Sequence, residues 1–281
     1  MLDSSRLALV VLGLPFLTLV GSAGRVQPPA DLDALARKVR DVIRSEYAQP
    51  VRFNYIEQGR DVDVSVLGKV SVGPVQTFEV RQDPPREAWR RLIAVDGKPL
   101  DAAELERRDA EHRRKVERER SESPRQRAAR LKKEAEELRE RDEILDDAER
   151  VFAFSVIGRE RIDNHPVVVV GLTPRPNARV TTNDGQRMKQ FAGRLWVSEG
   201  DHHIARVRLH AMDTVSVGWG VVARVEPGSG FDFVRRRFNG TWVASELTIE
   251  GSGRTLLFRK FQIKTVTTYS DHQPHTAAPD S

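Results

Sequence analysis

The sequence predicts a mainly β fold with helices: a curled antiparallel sheet, an incomplete β-barrel, carrying an N-terminal amphipathic helix and a long charged helical insertion. Three observations predict it. From Phe191 to Tyr269, short runs alternate apolar and polar residues between turn residues, and a period of two puts alternate side chains on opposite faces of a sheet. The same alternation runs through Val51–Val95, so both halves of the chain feed the sheet. Between them, from Leu100 to about Arg150, alternating acids and bases replace the β pattern. An open twisted sheet of roughly nine to eleven strands curls or splits rather than staying flat.

The chain has 281 residues, 39% of them hydrophobic and 31% charged, and the charge excess is concentrated in that middle segment. There is no cysteine, which excludes a disulfide framework, a thiolate metal site, a cysteine nucleophile and a lipid-anchored cysteine. The net charge is +5, but the basic residues are interleaved with acids and no nucleic-acid-binding motif is present, so nucleic acid is not an expected partner.

Leu7–Val20 is an apolar run preceded by Arg6 and followed by Gly21-Ser22-Ala23, the pattern of a secretory signal peptide over residues 1–23. It falls short of the roughly 20 apolar residues of a membrane span and contains Gly13 and Pro15. An uncleaved N-terminal anchor is the competing reading. The expected organisation is a signal peptide, one domain over 24–270 with the insertion at 100–150, and a disordered tail over 271–281. The expected location is the periplasm.

Within the domain, Leu32, Leu35, Val39, Val42 and Ile43 fall at helical spacing, with Arg37, Lys38, Arg40, Arg44 and Glu46 on the other face. Such a helix either packs on the sheet or lines a cavity. Strands follow at Val51–Glu57, Val62–Val72, Val75–Arg81 and Trp89–Val95, with a turn at Asp96-Gly97. In the insertion, Ser123-Pro124 breaks one helix and Ser123 caps the next. Leu131, Leu138 and Leu145 repeat every seven residues, a thin seam. The insertion is read as an arm or hairpin: a solvated appendage, a coiled-coil partner site or a lid.

Val151–Val156 and Gly158–Ile162 resume the β pattern, and Asp163-Asn164-His165-Pro166 turns into Val167–Leu172. Four consecutive valines suggest a strand covered on both faces. Thr181–Gln190 reads as a polar loop. Thr214–Val225 reads as one strand, with Gly218 and Gly220 permitting a bend. Asn239-Gly240 marks a hairpin.

A curled sheet with a helix on its concave side makes an apolar cup. Evenly spaced residues supply a lining: Ala205, Val207, Leu209 and Ala211; Val217, Trp219 and Val221; Val243, Leu247 and Ile249. Each serves equally as ordinary core. Leu209, Val217, Trp219, Val221 and Leu247 are the candidate lipid-binding residues, and Arg235–Arg237 are candidates to attract an anionic headgroup.

The segment Arg90–Leu100 leading into the charged helix, Phe191-Ala192-Gly193-Arg194-Leu195-Trp196-Val197, Ile204-Ala205-Arg206-Val207, Phe231-Asp232-Phe233, Gly240-Thr241-Trp242-Val243 and Thr268-Tyr269-Ser270-Asp271 together resemble the outer-membrane lipoprotein-sorting proteins of LolA/LolB-like fold. The resemblance covers most of the mature chain. It implies an incomplete barrel wrapped round a helix, with a hydrophobic cavity for acyl chains, and no catalytic residues. The charged arm departs from the best-known carriers, and the missing cysteine argues against a membrane-anchored acceptor.

Other constellations do not assemble. His202 and His203 are adjacent, so on a strand they face opposite ways and do not share a metal. Ser252 in Gly251-Ser252-Gly253 lacks the nucleophile-elbow pattern. No catalytic residue, metal or cofactor is expected. Two readings remain. One is a non-enzymatic, monomeric periplasmic carrier of a lipid or acylated lipoprotein. The other is an envelope interaction protein whose core binds nothing and whose residues 100–150 dock a protein partner.

Overall fold

The computed structural model describes residues 32–48, 52–65, 69–82, 88–217, 223–255 and 259–275. Residues 1–23, read from the sequence as a signal peptide, lie outside them. Helix α1 (Leu32–Ala48) precedes strands β1 (Phe53–Val64), β2 (Val70–Arg81), β3 (Trp89–Val95) and β4 (Lys98–Pro99). Helices α2 (Ala102–Arg120) and α3 (Pro124–Val151) follow, then β5 (Phe152–Ile162) and β6 (His165–Pro174). A short α4 (Asn183–Met188) leads to β7 (Phe191–Ser198), β8 (Ile204–Ala211), β9 (Val215–Val217) and β10 (Ala223–Val225). The chain closes with β11 (Gly230–Phe238), β12 (Thr241–Thr255) and β13 (Lys260–Pro274).

The strands join one antiparallel sheet in the order β4-β3-β2-β1-β13-β12-β11-β8-β7-β6-β5, with β10 added beside β12 and β9 beside β10 off this path. Nearly every neighbour is also a chain neighbour, as in an up-and-down meander. The long-range joint is β1 with β13, which ties the two ends of the chain together. The sheet is not closed: β4 and β5, consecutive along the chain, stand at opposite edges, and α2 and α3 bridge them. The expected curled antiparallel sheet is therefore present, and the charged insertion sits where a barrel would close.

Local chemistry sets the tight turns. Asp96-Gly97, Asp163-Asn164 and Asn239-Gly240 all have positive φ at both central positions, the type I′ geometry that suits hairpins and that only Gly, Asn and Asp adopt readily. Ser123 caps α3 in a full capping box with Gln126, and Pro124 occupies the first turn, where its missing N–H costs nothing.

The four valines of β6 are buried, as their continuous apolar run suggests. Val168 and Val170 pack with Val39 of α1 and Val197, while Val167 and Val169 pack with Trp196, Ala205 and Trp242. Each fully buried valine contributes on the order of 1.5–3 kcal/mol, so this strand anchors both layers.

Four elements differ from the sequence reading. Residues 214–225 are not one strand: β9 and β10 pair antiparallel, so the chain reverses between them, and β10 pairs with the far end of β12. Residues 181–190 are not a bare loop but carry α4, capped by the Thr182 side chain on Gly185 N–H. The arm is not a packed helical hairpin. Helix α2 lies on β3, through a bidentate Arg91–Asp109 pair at 2.7 Å and the His112 ring stacked on Trp89, whereas α3 packs on α1, β5 and α4. Finally, β13 runs on to Pro274, opposite Phe53, through the first residues assigned to the tail. Residues 276–281 lie outside the described ones.

Candidate functional site: an apolar cavity under helix α1

Helix α1 lies across the concave face of the sheet, and a cavity of about 320 Å³ opens between them. Leu32, Leu35, Val39 and Ile43 form its helical wall. Leu145 and Ala148 of α3 and Met188 of α4 close one side. The sheet floor comes from Phe154, Val170, Leu172, Leu195, Val197, Ile204, Val207, Leu209 and Phe231. These floor residues sit at paired register positions: Phe154 opposite Leu172, Val170 opposite Leu195, Leu195 opposite Val207, and Leu209 opposite Phe231. Directly opposed residues project from the same face of an antiparallel pair, so the sheet register alone builds an apolar floor.

One irregularity decides part of it. Trp196 pairs with Arg206 and Val197 with Ile204, leaving Ala205 as an extra residue on β8. Such a bulge reverses the alternation beyond it. Ile204 therefore faces the cavity beside Val207 and Leu209, and Ala205 is buried in the cluster with Trp196 and Trp242 instead. An unbroken period of two places Ala205 on the cavity wall; the bulge moves it.

Two sets of polar contacts fix α1. Near its middle, Arg40 pairs with Glu149 at 2.8 Å and with Asp146, and Arg44 with Asp142 at 2.9 Å, all on α3. At its end, Glu46 Oε1 lies 2.8 Å from His203 Nδ1 and accepts from Arg235 Nη2 at 2.6 Å. The same guanidinium nitrogen donates to the Trp242 carbonyl at 2.7 Å. Helix α4 is fixed by Asp147 of α3, whose side chain is completely buried. Burial pushes that carboxyl up, but the hydrogen bonds from Thr182, Thr181 and Arg150 outweigh it and hold it below the ordinary carboxylate range.

The predicted binding residues are distributed unevenly. Leu209 is on the cavity wall. Leu247 stands opposite Phe233, outside the lining. Val217 lies in β9, paired with Ala223 of β10. Trp219 and Val221 lie outside the described residues. The arginines proposed to attract a headgroup are committed elsewhere: Arg235 to Glu46, Arg236 to Asp163 at 2.5 Å, and Arg237 to Asp201. None of the three lines the cavity. The charged residues that do are Arg40, Glu149, Asp184 and Arg187. Sequence reasoning missed them because they belong to α1, α3 and α4, and no local pattern says which residues of three separate helices meet. The apolar stripe of α1 was the legible signal.

Among the described residues, no group of three or more His, Asp or Glu side chains is placed to hold a metal ion. No helix among them is long and apolar enough to cross a membrane.

Fold and site define a half-barrel with a ligand-sized apolar cavity under its helix. No protein-family model matches the sequence, and no curated protein matches it. Among solved structures, the chain is similar to a DUF1329 family protein from Desulfovibrio piger, with 10% identity over 89% of this chain and 95% of that one and a TM-score of 0.30. A LolA superfamily protein from Nitrosomonas europaea matches with 10% identity over 89% and 96% of the two chains, at a TM-score of 0.26. An outer membrane lipoprotein-sorting protein domain from Vibrio parahaemolyticus matches with 8% identity over 87% and 95%, at a TM-score of 0.30.

Proposed function

We propose that this chain is an exported, non-enzymatic carrier that holds hydrocarbon chains of a lipid or acylated lipoprotein in the cavity under α1. The observation that carries this reading is the cavity itself: about 320 Å³, floored and roofed by aliphatic and aromatic side chains from α1, α3, α4 and five strands. Ligand pockets of this kind start at about 300 Å³. Burial of each methylene contributes about 0.8 kcal/mol. A ten-carbon chain therefore gains about 8 kcal/mol, less the several kcal/mol of lost freedom on association. That balance gives reversible binding, as hand-over requires. Residues 1–23, with their apolar run Leu7–Val20, support export to the periplasm.

The test is mass spectrometry of an organic extract from protein purified out of a periplasm without detergent. A stoichiometric lipid or acylated peptide, lost in Leu209→Asp, is the expected result. A folded protein that yields no lipid and takes up no added fluorescent fatty acid overturns the reading.

One observation favours a second role beside it, a docking arm. Leu131 and Leu138 of α3 are 51% and 47% exposed. The third leucine of the seam, Leu145, is in the cavity wall. A protein partner lying on the outer part of α3 would thus touch the helix that forms one side of the cavity.

A further inference from the structure

The convex face of the sheet carries a row of residues that the cavity does not use. Ser155 stands opposite Gly171, Gly171 opposite Arg194, Arg194 opposite Arg208, and Arg208 opposite Asp232. Their chain neighbours Phe154, Leu172, Leu195, Leu209 and Phe231 line the cavity, so this row points the other way. We infer that the Arg194–Arg208 pair is a binding site for a phosphoryl group, with His210 and Ser155 at its margins. The site lies across the sheet from the cavity and stands independently of the carrier reading.

Like charges directly opposite one another on neighbouring strands, with Cβ atoms about 5 Å apart, are destabilising. The acid of the row does not relieve them both. Asp232 accepts from Arg206 through both oxygens, at 2.7 Å from Nε and 2.5 Å from Nη2, and its Oδ2 also takes Arg208 Nε at 2.8 Å. Two further acids of this face lie on the Arg206 side. Glu160 accepts from the Trp196 indole at 2.8 Å, and Glu246 stands across Val234 from Arg206. Arg194 is exposed, and among the described residues no acid pairs with it. Its charge is felt next door. His210, diagonal to Arg194 across β7 and β8, is held below the ordinary histidine range by burial and then by Arg194, and no acid offsets them.

The number of donors selects the ligand. A carboxylate has two oxygens, and one guanidinium satisfies both, as Arg206 does for Asp232. Two guanidiniums on adjacent strands present two forks to one group, which suits the three acceptor oxygens and greater charge of a phosphoryl group. Gly171 puts no side chain beside Arg194, and the Ser155 hydroxyl leans over it: a Cβ at Gly171 would stand 2.8 Å from Ser155 Oγ. A hydroxyl donor therefore borders the pair.

The test follows the His210 imidazole by proton NMR in the purified full chain, its signal identified by its loss in His210→Gln. Titrations are run in inorganic phosphate, acetate or chloride at equal ionic strength. In phosphate the His210 titration should move to higher pH, because an anion beside Arg194 favours the charged imidazolium; in acetate it should move little. Arg194→Gln should raise the titration in chloride and abolish the further rise in phosphate. Arg208→Gln should weaken phosphate about fivefold, as the loss of one exposed charge pair does. Lys98→Gln, which removes the same charge at the far edge of the sheet, should leave the phosphate response unchanged. Without phosphate, Arg194→Gln should melt no lower than the parent protein, because a like-charge opposition is relieved. Sedimentation with phosphatidylcholine vesicles containing phosphatidic acid separates the two sources of the group. Binding that Arg194→Gln abolishes assigns the site to a lipid headgroup, and no binding assigns it to a soluble phosphoryl compound. A His210 titration alike in phosphate and chloride, or moved equally by phosphate in Arg194→Gln, overturns the site. Acetate as effective as phosphate overturns the phosphoryl assignment. Fatty acid uptake by Arg194→Gln should equal that of the parent, so failure of either reading leaves the other standing.

Discussion

Asp147 Oδ2 accepts two hydrogen bonds from Thr182, one from its backbone N–H and one from its hydroxyl, each at 2.8 Å. The Thr181 N–H adds another at 3.0 Å. One buried carboxylate thus organises the start of α4 from the end of α3 and places Met188 against the cavity. Asp147→Ala strands these donors, and Asp147→Asn sets an amide N–H₂ against N–H groups that need an acceptor. Either change should cost about 3 kcal/mol, read as a lower urea midpoint with an unchanged slope.

The pH dependence of stability follows from the same group and three others. Asp201 and Asp232 are also held below the ordinary carboxylate range: burial raises them, and the hydrogen bonds and charge they receive from Ser198 and Arg237, or from Arg206 and Arg208, outweigh it. A depressed carboxyl contributes stability above its unfolded pKa of about 3.9 and loses it as pH falls through the lower folded value. His210 is lowered by burial and then by Arg194. Its neutral form is favoured in the fold, so stability falls once pH drops below its unfolded pKa of about 6.5. Urea midpoints should therefore decline first as pH falls below about 6.5 and again below about pH 4. His210→Gln should remove part of the first decline, and Asp147→Asn part of the second.

Gly185 sits against that carboxylate so closely that an added Cβ would come 2.8 Å from Asp147 Cγ. Its φ is not in the left-handed region, so the demand for glycine is one of space. Gly185→Ala should destabilise by about 1–3 kcal/mol, and circular dichroism melts would show it. A melting temperature equal to that of the parent protein would show that α4 shifts freely, contrary to the close fit of Gly185 against Asp147.

The three leucines of α3 share one seven-residue spacing but not one environment. Leu131→Glu and Leu138→Glu, on the exposed outer part, should each change stability by no more than about 0.5 kcal/mol. Leu145→Glu brings a charge into the cavity wall and should cost 3 kcal/mol or more, an order-of-magnitude figure of about that size for an unpaired charge in an apolar site. Chemical denaturation of the three variants side by side measures the gradient.

Glu46 receives both His203 and Arg235, and the Arg235 side chain is only 17% exposed. Glu46→Ala leaves that guanidinium half-compensated by the carbonyls of Ile204 and Trp242. The expected loss is about 2 kcal/mol, with faster amide hydrogen exchange confined to the last turns of α1.

How far the fold and the cavity can be read from the sequence differs from residue to residue. The turns at Asp96-Gly97 and Asn239-Gly240 and the cap at Ser123 are legible because each depends on a few neighbouring residues: a positive φ, or a hydroxyl within reach of the third amide along. Val167–Val170 is legible because four apolar residues in a row leave no face for water. The stripe of α1 is legible from its helical spacing.

Tertiary structure decided the rest. The alternation at Val215–Val225 is real, yet the chain reverses within it, because period two records only that alternate residues share a face and not whether the strand continues. The extra residue at Ala205 exchanged the two faces of β8, and nothing in Ile204-Ala205-Arg206 announces it, since a bulge is a property of two strands together. The sequence by itself determined a meander of antiparallel strands broken by a charged helical insertion. Only the tertiary structure joined β1 to β13, left β4 and β5 unpaired to each other, and brought Arg40 and Glu149 to the cavity, because partners a hundred residues apart are chosen by the packing of the whole sheet and not by the residues on either side of them.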